Sequence, residues 1–195
     1  MSARFAALCF ILLCVTGTLV YTQTAPATRT MSPQAKTGPV PPPATDADKI
    51  KSAMSAAPAS IAGAASVMDV PSMKVLKPGT NGWTCIPDGP SPGVDPMCLD
   101  QNGMLWMDAL MHHKDPPAGK MGLGYMLMGG SDASNTDPFA TAPKPGSTWV
   151  DTGPHLMVLN IGTAFAGYPT VATNTKVPYV MFPGTAYAHL MVPVR

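Results

Sequence analysis

Apolar residues gather along this chain in three patterns, and each predicts a different kind of element. The first is a mainly apolar run from Phe5 to Val20, directly after Arg4. Its 16 residues fall short of the ~20 that span a bilayer as a helix. Polar Tyr21 to Thr24 and then Ala25-Pro26-Ala27 follow, a small-x-small sequence suited to a signal peptidase. Residues 1–27 therefore read as a cleaved export signal. The alternative is an uncleaved N-terminal anchor, the one way this chain would meet a membrane. Leu8 before Cys9 and Leu13 before Cys14 do not fit a lipoprotein site.

The second pattern is helical. Residues 28–44 are polar and proline-rich, ending in Pro39-Val40-Pro41-Pro42-Pro43, and read as an extended linker. Thr45-Asp46-Ala47-Asp48 then caps a helix running to about Ala57, before Pro58, and the alanine-rich stretch to Met68 suits another short helical turn. Met73 to Leu76 suits a strand. Asn81-Gly82 and Asn102-Gly103 mark turns, the second ahead of a helix from Met104 to His113 that ends before Pro116-Pro117. In it Met104, Met107, Leu110 and Met111 share one apolar face.

The third pattern begins beyond Gly119: short apolar runs at Leu123–Met128, His155–Leu159, Tyr179–Phe182 and His189–Val194, separated by turn residues. Helices first and strands afterwards predict a small single α+β domain over residues 45–195, with a mainly antiparallel sheet and two or three short helices.

Charge narrows the function classes. Lys plus Arg number 12 against 11 acidic residues, and losing Arg4 with the signal balances them. No basic footprint for nucleic acid or anionic lipid remains. Every acidic residue is Asp, because the chain contains no glutamate. This excludes the zincin helix, the glutamate acid of many glycosidases, the deaminase glutamate and the last ligand of an EF-hand loop.

Four constellations carry candidate chemistry. Cys85 and Cys98 are the only cysteines beyond the signal and suit a disulfide in an exported chain. His155-Leu156-Met157-Val158 recurs as His189-Leu190-Met191-Val192, and in each strand His and Met share a face. If the two strands are neighbours, His155, His189, Met157 and Met191 form a ligand set that suits copper, Cu(I) above all; the alternative is core methionines and histidines bonded to backbone. Asp108 and His112 stand one helical turn apart as an acid/base dyad or as a surface pair. Ser131 to Asp137 is rich in side-chain oxygens, which serves a calcium loop or an ordinary turn.

The blocks Asn81-Gly82-Trp83-Thr84-Cys85, Asp95-Pro96-Met97-Cys98-Leu99-Asp100, Ser134-Asn135-Thr136-Asp137-Pro138, Gly153-Pro154-His155 and Tyr187-Ala188-His189-Leu190-Met191-Val192-Pro193 resemble those of a family of bacterial secreted proteins with no assigned activity. The resemblance runs from about Asp48 to the C-terminus. It implies a bacterial periplasmic or secreted protein and brings no catalytic residue or cofactor with it. The expectation is a non-enzymatic binding or structural domain, with a copper-binding protein and a small Asp/His hydrolase as alternatives.

Overall fold

The computed structural model of the chain describes residues 41–70 and 72–194. These belong to the second of two units, Pro33–Arg195. The expected signal and most of the linker lie outside the described residues.

Helix α1 (Asp46–Met54) begins where the Thr45 side chain accepts from the Asp48 N–H, with Asp46 and Asp48 at its positive end and Lys51 in its last turn. After Pro58 a single turn, α2 (Ala59–Ala62), supplies the expected short helical turn and ends before Met68. Residues 66–69 instead form strand β1 (Ser66–Asp69), paired in parallel with β3 (Thr84–Ile86) and antiparallel with β2 (Lys74–Lys77).

Strand β4 (Met97–Leu99), helix α3 (Gln101–Met111), β5 (Gly122–Met126), β6 (Gly130–Asp132), β7 (Val150–Thr152), β8 (His155–Leu159), β9 (Tyr179–Met181) and β10 (His189–Pro193) complete the order. Eight strands form one sheet in the order β2-β1-β3-β4-β5-β8-β10-β9, and β6 with β7 makes a separate hairpin. Within the large sheet every neighbouring pair is antiparallel except β1–β3. The expected α+β class, mainly antiparallel sheet and short helices are borne out.

Because side chains alternate along a strand, the sheet builds a core on each face. One face carries Val67, Cys85 and Cys98 against Ala53, Ala56, Ala62 and Ala65 of the α1–α2 region. There Cys85 and Cys98 sit directly opposite each other on β3 and β4 and form the expected disulfide, both fully buried. The other face carries Leu99, Met126, Met157, Leu159, Met181 and Met191 beneath Trp106 of α3.

Helix α3 starts earlier than the turn at Asn102-Gly103 implied, because the Asp100 carboxylate accepts from the Gly103 N–H at 2.7 Å and caps it. Its buried residues are Gly103, Trp106 and Ala109, with Met104, Met107 and Leu110 half-buried beside them. The buried stripe is thus rotated from the expected methionine face, since small residues let the helix backbone approach β5. A Cβ at Gly122 would lie 2.5 Å from the Gly103 nitrogen. No helix among the described residues is long and apolar enough to cross a membrane.

Candidate functional site: a thioether-lined cavity

The repeated His-Leu-Met-Val segments lie side by side. β8 and β10 pair antiparallel with Met157 opposite Met191, His155 opposite Pro193 and His189 opposite Leu159. A local two-fold relation between Met157 and Met191 therefore links the two copies. The outer strands extend it: Met126 of β5 is opposite His155, and Met181 of β9 is opposite His189. All six side chains belong to the α3 face. The two methionines of the repeat meet, while four residues of strand, about 14 Å at ~3.4 Å per residue, separate the histidines lengthwise. Each histidine is grouped with its own methionines, Met126 and Met157 for His155, Met181 and Met191 for His189.

Both rings are held in the same way. The His155 Nδ1 donates to the Gly153 carbonyl at 2.7 Å and the His189 Nδ1 to the Tyr187 carbonyl at 3.0 Å. A carbonyl only accepts, so Nδ1 carries the hydrogen and Nε2 carries the lone pair. Burial pushes both histidines down to about 4, leaving them neutral at physiological pH. The His155 Nε2 is buried without a hydrogen-bond partner. The His189 ring stands edge-on to Trp106 at 5.2 Å and is tilted against Phe182 at 5.4 Å.

Over His189 lies a cavity of about 230 Å³ between α3 and the sheet. Met97, Met107, Met126, Met157, Met181 and Met191 line it together with Leu99, Trp106, Leu110 and Phe182. Space for it depends on Gly124, because a Cβ there would lie 2.7 Å from the Met157 methyl and 2.8 Å from a Leu99 methyl. His155 does not line the cavity, although its ring lies close beneath Gly130.

The cavity also has a polar part: Ser91, Asp95, Ser131 and Asp132. The Ser131 hydroxyl donates to the Asp95 carboxylate at 2.8 Å, the Ser91 hydroxyl donates to the same oxygen, and the Asp88 carboxylate accepts from the Asp95 N–H at 2.6 Å. Burial first, and then the nearby Asp95 charge, pushes the Asp132 carboxyl up to about 7.

The remaining candidates have structural roles. His112 Nδ1 lies 3.2 Å from the Asp108 carboxylate and 2.8 Å from its backbone carbonyl, with both side chains more than half exposed. The Ser134 hydroxyl accepts from the Thr136 and Asp137 N–H groups and Asp137 accepts from the Phe139 N–H, so these oxygens serve the turn. Among the described residues no three His, Cys, Asp or Glu side chains gather as metal ligands would. A larger hollow of about 390 Å³, among Gly162, Phe165, Tyr168 and Pro183, has no histidine, carboxylate or methionine in its walls.

Met181, Met126, Trp106 and Asp95 escaped sequence reasoning as site residues, and Asp132 entered it only within the oxygen-rich segment Ser131 to Asp137. Strand parity places Met181 on the face of Tyr179, but the identity of its partner strand carries no local signal. Comparison of the chain with protein-family models, with curated proteins and with solved structures finds no match.

Proposed function

We propose that this chain is an exported bacterial protein whose domain acts by binding, without catalysis, and houses a small ligand in the cavity beneath α3. The observation that carries the reading is the wall itself: six thioethers and two aromatic rings around one neutral histidine. Thioethers are flexible and polarizable, so such a wall adapts to an apolar or soft ligand. The Cys85–Cys98 disulfide supports an oxidising compartment such as the periplasm or the exterior.

A hydrolase has less support. The Ser91 and Ser131 hydroxyls donate to Asp95 and not to an imidazole, and both buried histidines spend Nδ1 on backbone carbonyls. A nucleophile paired with an oriented base is the arrangement such chemistry needs.

The test uses the full chain labelled with 13C-methyl methionine and titrated with indole, an apolar probe. Several methionine methyl resonances are expected to shift saturably, while that of Met121, half exposed on the surface, stays in place. Leu110→Trp, which fills the half-buried side of the cavity, is expected to abolish the response. If neither indole nor Cu(I) moves any cavity methionine, the reading is wrong.

A further inference from the structure

We infer that the ligand of this cavity is a single Cu(I) ion, bound by Nε2 of His189 and the thioether sulfurs of Met181 and Met191, with Met157 beside them; this rests on the cavity reading above. Three observations converge on it.

The first is register. Met181 is the direct cross-strand partner of His189, Met191 lies two residues along the same strand, and Met157 is opposite Met191. Direct cross-strand partners hold their Cβ atoms about 5 Å apart and next neighbours somewhat farther, within reach of a thioether and an imidazole meeting at one point. All four side chains line the same cavity.

The second is the state of the histidine. Its Nδ1 is committed to the Tyr187 carbonyl, so Nε2 is the nitrogen left to coordinate. Trp106 and Phe182 flank the ring and keep water from it.

The third is ligand softness and charge. Uncharged thioethers with one imidazole suit Cu(I), whereas zinc prefers thiolates, several imidazoles or carboxylates, and no such group gathers among the described residues. Cys85 and Cys98 are joined to each other, so methionine is the remaining sulfur ligand there, and a thioether is not consumed by disulfide formation. Asp95 and Asp132 border the same cavity and offset one added positive charge in a mostly apolar wall.

The experiment is anaerobic competition of the full chain with the chromogenic Cu(I) chelator bicinchoninate, beside copper K-edge absorption spectroscopy and the indole titration. One Cu(I) per chain is expected, with sulfur scatterers at about 2.3 Å, a typical soft metal–sulfur distance. M181L and M191L nearly conserve side-chain volume while removing sulfur. Each is expected to weaken Cu(I) binding at least tenfold, and the pair at least a hundredfold, with the circular dichroism spectrum retained. Met121→Leu, on the surface, is expected to leave the affinity unchanged. Uptake of indole without Cu(I) would overturn the metal assignment and leave the cavity reading standing. Equal Cu(I) affinity in M181L/M191L, or a spectrum with only nitrogen and oxygen neighbours, would overturn it too. Failure of both probes removes both readings.

Discussion

A buried imidazole and a partly buried carboxyl respond to pH in opposite senses, and this domain contains both. His155 and His189 are depressed to about 4, against about 6.5 in an unfolded chain. Between those values the unfolded state binds more protons, so the stability they contribute is complete above about pH 6.5 and lost as pH falls toward 4. The loss is on the order of 3 kcal/mol per histidine as an upper bound. Asp132, raised to about 7 from 3.8, has the reverse effect: its ionisation favours unfolding as pH rises from about 4 to 7. Urea unfolding of the metal-free chain from pH 4 to 8 should therefore show a steep fall in stability on the acid side. Asp132→Asn should raise stability at pH 8 relative to the wild type and leave the acid-side loss in place. An Asp132→Asn profile flat between pH 4 and 6.5 would mean that the histidines are not buried in neutral form.

Among the elements, α3 decides the site, because it forms the wall of the cavity opposite the sheet. Its approach to the sheet rests on Gly103 against Gly122, where an added Cβ would meet backbone atoms that have no side-chain freedom to move aside. Gly122→Ala should cost about 2–3 kcal/mol through overpacking. Gly153→Ala, where nothing lies within 4 Å, should be close to neutral, so the pair of unfolding curves separates close packing from a general penalty for losing glycine. The sequence showed α3 as an element but not its angle about its own axis. Methionine spacing marked one face, whereas the buried face is set by where two glycines permit contact, and that depends on a strand nineteen residues away from Gly103. The Asp100 cap was legible in type, since Asp is a good N-cap, yet Asn102-Gly103 reads more strongly as a turn until the Gly103 N–H is seen bonded to Asp100.

For the whole molecule, the disulfide joins β3 to β4 in the interior of the eight-stranded sheet, facing α1. The chain-entropy account of a loop this size gives about 3 kcal/mol. The Cys85→Ser/Cys98→Ser variant should lose about 2–4 kcal/mol, roughly as much as one of the histidines loses in acid, as measured by its urea midpoint. If the midpoint does not move, the bond is not formed in the folded protein.

What the sequence determined by itself was whatever depends on neighbours within a few positions. Alternation and apolar runs marked β8, β9 and β10, the Thr45 cap marked α1, and the cysteines beyond the expected signal had only each other to pair with. The repeated His-Leu-Met-Val segment placed His and Met on a shared face within each strand, because a strand has a period of two. Only the tertiary structure decided that the two copies are antiparallel neighbours with methionine opposite methionine. It also decided that Met181 and Met126 stand beside the histidines, and that a cavity closes over one of them. The physical reason is that strand order and register arise from contacts between residues far apart in the chain, and a one-residue slip, invisible in local sequence, turns every side chain to the other face.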